Sequence, residues 1–366
     1  MKRIIFRVDA SIVLGYGHVM RCLTLAMAMR EQQSVDIVFL CRELEGHLIA
    51  LISGYGFQVH ALPNTHAALY HGSKKLSNRC LEAAWGKDVE QCKPYLSRIG
   101  PDWLIVDHYM LGKDWEHDLT DFYGKLLVID DLVNRTHECD MLLDQTLGRS
   151  EVAYQNLVPM HCTVLTGIQY ALLRPEFSAL REYSLSRRCS RFELKQVLVS
   201  MGGIDQHNVT HGVLEALQCS VLPRDCHIVV VLSSQSPALD AVIEQAKMMA
   251  GEVSVKVDVK NMAQLMADSD LAIGAAGTSS WERCCLGLPS FLIVVAENQW
   301  DNAKAQVASK AALLLGQGEN ALAALPEAIE KCISTNLLAE LSAEAGQLCD
   351  GAGVRRVLAS MEGCVL

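Results

Sequence analysis

Residues 4–30 read IIFRVDASIVLGYGHVMRCLTLAMAMR, and this stretch decides the fold. Ile4 to Val8 is an apolar run that closes on Asp9, Gly15-Tyr16-Gly17 permits a tight turn, and His18 stands where a helix should begin. From Val19 on, Met20, Leu23, Leu25, Ala26 and Met29 recur near helical spacing. The unit is therefore strand, glycine loop, helix. A helix start offers unpaired N–H groups and a partial positive charge, which suits an anion. The same field disfavours imidazolium, so a histidine there tends to stay neutral and able to act as a base. The glycines equally read as a plain turn with His18 capping the helix, and the spacing leaves both open.

Working outward, Val35 to Cys41 reads as a buried strand, Leu44 to Gly54 as helix, Phe57 to Leu62 as strand, and Pro63 to Asn78 as a surface loop. Helix resumes over Leu81 to Ile99, followed by strand Trp103 to Asp107, helix Trp115 to Phe122 and strand Lys125 to Asp130. Strands as uniformly apolar as WLIVD predict a parallel sheet covered on both faces. Asp9, Asp107 and Asp130, with Asp131, end such strands, where α/β sheets bind ligands. They read either as the rim of a site or as caps and loop ties.

Leu173 to Arg191 is a charged helical connector, and a second strand–helix series follows it through QVLVSM, HIVVVL, Val253 to Val257, Leu271 to Ala275, Ser290 to Val294 and Ala311 to Leu315, with a helical tail. The expectation is α/β: two doubly wound Rossmann-like domains, 1–180 and 181–366, with the active site in the cleft between them.

At 366 residues, half of them hydrophobic, the chain has ample material for two cores. The net charge of -10 argues against nucleic-acid binding. The 14 cysteines are scattered without a CxxC pair, and no apolar run reaches the roughly 18 residues of a membrane span. A reduced, cytoplasmic protein with no membrane or obligate protein partner is expected.

In the second half, AIGAAGTSSWERCCLGLP (272–289) runs from a strand through small residues into Thr278-Ser279-Ser280 at a helix start. Such a turn can hold a diphosphate without a lysine, and no GxxxxGKS sequence is present. Ser279 with Glu282 fits a capping box; the alternative is a Glu282 carboxylate that accepts from ribose hydroxyls. Gly202-Gly203, after QVLVSM, can bring backbone N–H groups near a phosphate, and Asn298-Gln299 can orient a sugar or merely tie a loop. His108, Asp114, His117 and Asp118 match no metal-binding spacing, and no GxSxG elbow is present.

Taken in order, RVDAS-x4-GYGHVMRCLTLA, WLIVDHYMLGKDWE, VIDDLVNRTHECDMLLDQT, YALLRPEF, MGGIDQHNVT, NMAQLMADSDLAIGAAGTSSWERCCLGLPS and ENQWDNA resemble the UDP-sugar hydrolases of pseudaminic acid biosynthesis. The resemblance runs to CDGAGVRRV near the end and is weaker between Leu62 and Trp85. Departures are DQHNVT, where proline is expected after the aspartate, and GAAGTSS in place of GAGGTTS.

The resemblance implies a GT-B-like fold, similar to the peptidoglycan glycosyltransferase that uses UDP-N-acetylglucosamine. It implies a UDP-linked diacetamido-trideoxy sugar as ligand, with no metal and no cofactor. UDP would lie on the C-terminal domain, at Gly202, Gly203, the main chain near Met262, Thr278, Ser279, Ser280 and the ribose-binding Glu282. The sugar would face Gly15, Tyr16, Gly17, Asp107, Tyr109, Asn298 and Gln299. His18 would be the general base that activates water. A glycosyltransferase of the same fold is the alternative within this reading, and a non-catalytic UDP-sugar sensor the alternative outside it.

Overall fold

The computed structural model describes residues 1–64, 78–189, 193–202 and 204–363. The chain forms two compact units, Met1–Leu172 with Gly353–Leu366, and Leu173–Ala352.

The first unit runs β1 (Lys2–Val8), α1 (Gly17–Gln32), β2 (Val35–Arg42), α2 (Ile49–Gly54), β3 (Gln58–Leu62), α3 (Asn78–Ile99), β4 (Trp103–Asp107), α4 (Lys113–Asp118), β5 (Lys125–Ile129), β6 (Met141–Asp144) and β7 (Thr163–Thr166). Among the described residues these strands form one parallel sheet in the order β3-β2-β1-β4-β5-β6-β7. Alternation along β1 sends Ile4, Phe6 and Val8 to a core with Val19, Leu23 and Ala26 of α1. Ile5 goes to the opposite core with Val89, Cys92, Leu96 and Trp115. Both faces are covered, as apolar parallel strands require.

The second unit begins with α5 (Pro175–Cys189) and continues β8 (Gln196–Ser200), α6 (Val209–Gln218), β9 (His227–Leu232), α7 (Leu239–Met248), β10 (Glu252–Val257), α8 (Met262–Asp268), β11 (Leu271–Ala275), α9 (Ser279–Cys285), β12 (Ser290–Val294), α10 (Trp300–Ala308), β13 (Leu313–Gln317), α11 (Gly318–Ser334) and α12 (Leu337–Leu348). Its strands form a parallel sheet in the order β10-β9-β8-β11-β12-β13. The last helix, α13 (Gly353–Gly363), belongs to the first unit. Val357, Leu358 and Met361 join the Ile4–Phe6 core, and a Cβ on Gly353 would meet the Ala171 carbonyl oxygen at 2.2 Å. A division after residue 180 would cut α5, whereas the compact units divide at Leu172 and return at Gly353.

Two details differ from the periodicity. Leu44–Gly54 is helical only from Ile49, because Glu45 turns back to accept from Ile12 N–H at 3.0 Å. The short strands MLLD and TVLT, four residues each, carry too little pattern to stand out from the polar run between them. The expected loop from Pro63 lies mostly outside the described residues. Among the described residues no helix is long and apolar enough to cross a membrane.

Candidate active site

Each sheet changes direction of winding once. In the first unit this occurs between β1 and β4, in the second between β8 and β11. Loops leaving the carboxyl ends of such strand pairs diverge and leave a crevice, the usual ligand position in open α/β sheets. His18 follows β1 and Asp107 ends β4, so the topology alone brings residues 89 positions apart together.

The loop before His18 is shaped by Ser11. Its carbonyl accepts from Gly15 N–H at 2.9 Å and its hydroxyl accepts from Leu14 N–H at 2.9 Å. Gly15 then takes φ +78°, a left-handed conformation that side chains resist. Tyr16 is the residue at the cap of α1, without a side-chain cap bond, and Gly17 opens the helix.

His18 Nδ1 lies 2.6 Å from Asp107 Oδ1. Arg21, one helical turn on, donates Nε to Asp107 Oδ2 at 2.5 Å and Nη2 to Oδ1 at 2.7 Å. The Asp107 side chain is fully buried. Burial works to raise its carboxyl pKa, but Arg21 and then His18 outweigh it and hold the group well below the usual carboxylate range. A carboxylate only accepts, so His18 Nδ1 carries a proton toward Asp107, and in the neutral ring Nε2 is the nitrogen left with the lone pair. Tyr109 packs edge-on against the imidazole, with ring centres 4.5 Å apart. Burial and the Asp131 carboxylate push its phenol upward, so it stays protonated. Arg21 Nη1 reaches Asp131 at 3.4 Å. Asp107, expected to touch substrate, therefore spends both oxygens on His18 and Arg21. Arg21 was not singled out in the sequence; its signal was the three-residue spacing from His18 on one helix face.

The other strand-end aspartates serve the fold. Asp9 accepts from Arg7 at 2.6 and 2.9 Å and from Arg42 N–H at 2.7 Å. His108 accepts from Met110 N–H at Nδ1 (3.2 Å), so its Nε2 donates to Asp9 (3.2 Å), and burial lowers its pKa. Asp130 is buried beside Arg135 at 3.0 Å.

In the second unit, Ser200 lies opposite Gly274, so Met201-Gly202 and Ala275–Ser279 leave neighbouring strands on one edge. Gly202 has φ +97°, and Gly203 lies outside the described residues. Asp205 caps α6, accepting from Val209 N–H at 2.9 Å and Thr210 N–H at 2.8 Å, which satisfies donors that an anion would otherwise find. Thr278 is exposed, Ser279 half-buried and Ser280 buried. The capping box does not form: α9 starts at Ser279, Thr278 makes no side-chain cap bond, and Ser279 Oγ accepts from Arg283 at 3.3 Å. Glu282 instead lies 3.5 Å from Arg174, which also pairs with Glu176 at 2.9 Å. Burial raises the Glu282 carboxyl against the pull of Arg174. Met262 opens α8 after a cap residue without a side-chain bond.

Asn298 is exposed on a short 3-10 turn. Gln299 is partly committed, its Oε1 accepting from Val295 N–H at 3.1 Å, and its Nε2 would lie 3.7 Å from a Cβ on Gly277. Asn302 donates to the Ala276 carbonyl at 2.7 Å and so ties the 276–277 turn to α10. Its place in ENQWDNA was visible, but nothing in the spacing marked it as the loop's anchor.

The glycosyltransferase family 28 C-terminal domain matches residues 197–352. The UDP-2,4-diacetamido-2,4,6-trideoxy-beta-L-altropyranose hydrolase of Campylobacter jejuni is 29% identical over 298 residues, 81% of this chain and 93% of that protein. The chain has a GT-B-like fold. The fold of this GT-B-like chain is shared with Acinetobacter baumannii MurG, at TM-score 0.68 and 15% identity over 99% of this chain and 100% of that one. A UDP-N-acetylglucosamine–N-acetylmuramyl-(pentapeptide) pyrophosphoryl-undecaprenol N-acetylglucosamine transferase of Bacteroides fragilis is 25% identical over 347 residues, 89% of this chain and 87% of that protein.

Proposed function

We propose that this chain is an enzyme acting on a UDP-sugar, and that it hydrolyses UDP-2,4-diacetamido-2,4,6-trideoxy-β-L-altropyranose to UDP and the free sugar. The observation that carries the reading is the 2.6 Å contact between His18 and Asp107, which leaves Nε2 as a base beside the glycine loop. The likeness to the Campylobacter jejuni hydrolase over 81% of the chain supplies the substrate.

The chemistry needs little else. An ordinary glycosidase must protonate its leaving group, because an alkoxide leaves poorly. The terminal phosphate of UDP has a pKa of about 6, like other phosphate monoesters, and leaves unaided. One base then suffices. Water attacks the anomeric carbon, the bond from that carbon to the β-phosphate oxygen breaks, and UDP departs with the electron pair. His18 Nε2 takes the water proton, Asp107 steadies the imidazolium, and Arg21 keeps Asp107 ionised. One displacement inverts the anomeric centre.

In the same reading the second unit holds the nucleotide. The turn Ala276–Ser279 meets the diphosphate, Glu282 accepts from the ribose, and the Met262 main chain meets the uracil edge. Asn298 orients the sugar, whereas Gln299 and Ser280 serve mainly the loop, given their internal bonds. Transfer of the sugar to an acceptor is the second reading, favoured by the transferase likeness over 89% of the chain.

Incubation with the UDP-sugar and no acceptor separates the two. Free sugar of inverted configuration in the first NMR spectra, lost in His18→Asn by about two to four powers of ten in kcat, supports hydrolysis by His18. Turnover that appears only when an acceptor is added makes the chain a transferase.

A further inference from the structure

The buried arginines of this chain are neutralised in different ways. Arg7 has Asp9 and Asp88, Arg21 has Asp107, and Arg42 has Asp88. Among the described residues Arg188 has no carboxylate within salt-bridge distance, but it donates to the carbonyls of Ser184, Met266, Ala267 and Ser269, mostly at the end of α8, where partial negative charge gathers.

Arg283 has neither arrangement. It is 2% exposed and has no carboxylate within salt-bridge distance among the described residues, although the neighbouring Glu282 carboxylate acts on it electrostatically. Its guanidinium gives one bond to a carbonyl, Nη2 to Ala275 O at 2.8 Å, and two to hydroxyls, Ser280 Oγ at 3.0 Å and Ser279 Oγ at 3.3 Å. Its Nε has no hydrogen-bond partner among the described residues. Burial pushes its pKa down to about 10, a sign that the protein around it does not repay the lost hydration. The strand makes room for it: a Cβ on Gly274 would stand 2.8 Å from Nη1.

This cation lies directly behind the Ala275–Ser279 turn, at the edge where β8 and β11 diverge. A hydroxyl that accepts from a guanidinium has its hydrogen free to donate elsewhere. Half-buried Ser279 can therefore pass the charge of Arg283 outward as a polarised O–H donor, while Ser280, fully buried, fixes the guanidinium in its plane. A buried charge that the protein compensates only in part, through Glu282, favours a ligand of opposite sign nearby.

We infer that Arg283 is a positioning residue for a nucleoside diphosphate, supplying positive charge to the diphosphate through Ser279 and the Ala275–Ser279 turn without touching it. The inference rests on the proposal that the second unit holds UDP. It adds the source of the charge that a lysine supplies in phosphate loops, and explains how a chain of net charge -10 can hold an anion locally.

The test is calorimetric titration of the full chain with UDP and with uridine. Wild type should bind UDP more tightly than uridine. Arg283→Gln should lose about 10- to 100-fold in UDP affinity with uridine affinity unchanged, and Arg283→Lys should recover part of the loss, as expected for a charge contribution of this size. Equal losses for UDP and uridine would mark Arg283 as a packing residue, and unchanged UDP affinity in folded Arg283→Gln would remove its role; either overturns the inference. Should Arg283→Gln not fold, the Ser279→Ala and Arg283→Lys single and double variants carry the comparison: UDP-selective losses that are non-additive support the passage of the Arg283 charge through Ser279, and additive losses overturn it. If wild type binds no UDP, the reading of the second unit fails first, which is a distinct outcome.

Discussion

Asp107→Asn changes one atom and should abolish most of the activity through His18. The wild-type carboxylate accepts on both oxygens, from Arg21 Nε at 2.5 Å and from Arg21 Nη2 and His18 Nδ1 at 2.7 and 2.6 Å. An amide has a single oxygen, and Arg21, which has only donors, will claim it. The amide NH2 is then turned to His18, whose Nδ1 must accept, which moves the proton to Nε2 and removes the base. In the serine-protease triad the same substitution, acting through the wrong tautomer, costs about 10⁴ in kcat. A loss of about 10³–10⁴ is therefore expected, or roughly 4–5.5 kcal/mol in the barrier. KM should stay within a few-fold, because no substrate contact is removed. Stability should fall too, since breaking a buried ion pair costs about 3–5 kcal/mol, with the lower end expected because Asp131 remains near Arg21. The assay is UDP release under saturating substrate, with circular dichroism to establish that the variant is folded. A folded Asp107→Asn enzyme with kcat within threefold of wild type would refute the tautomer argument.

Other positions give independent checks. Glu282→Gln should weaken UDP binding by about 1.5–3 kcal/mol, the worth of a hydrogen bond to a charged acceptor, measured by calorimetry. Burial raises the Glu282 carboxyl, so its contribution to stability is present below the unfolded pKa and lost as pH rises through the folded one. The melting temperature of Glu282→Gln relative to wild type should therefore improve from acid to neutral pH; a constant difference would contradict the shift. His137 lies 2.6 Å from buried Glu116 and 3.7 Å from Asp130; burial alone would lower its pKa, but these carboxylates raise it. Its contribution is full below the unfolded value of about 6.5 and lost as pH rises through the higher folded value. Urea unfolding of His137→Gln should show a loss of about 3–5 kcal/mol at pH 6 that narrows by pH 9, and a gap that widens would reverse the assigned sign. Gly15→Ala meets nothing within 4 Å of the new Cβ, so its cost is backbone strain alone, about 1–2 kcal/mol by thermal denaturation. No loss would mean that the loop adopts its turn without the left-handed glycine.

The parallel sheets were legible because their central strands are short, apolar and bounded by turns, as in WLIVD and HIVVVL, where every position or nearly every position is buried. The weak strands β6 and β7 were not, since four residues hold too little alternation to reveal a period. His18 could be picked out by its place at a helix start. The function of Asp107 could not, because an aspartate at a strand end reads alike whether it serves a ligand or another side chain. Asp9 and Asp107 illustrate the ambiguity: the former ties Arg7 and the Arg42 main chain into the fold, and the latter holds His18. Ser279 and Glu282 show the reverse case, a spacing that matched a capping box while the helix began one residue too early for it to close.

The central claim, water attack at the anomeric carbon with UDP as leaving group, is tested most directly by isotope transfer. The full chain is incubated with UDP-2,4-diacetamido-2,4,6-trideoxy-β-L-altropyranose in oxygen-18 water without an acceptor, and the products are weighed by mass spectrometry at early times. The account predicts one heavy oxygen in the free sugar and none in UDP. Heavy oxygen in UDP would place the attack at phosphorus and contradict it.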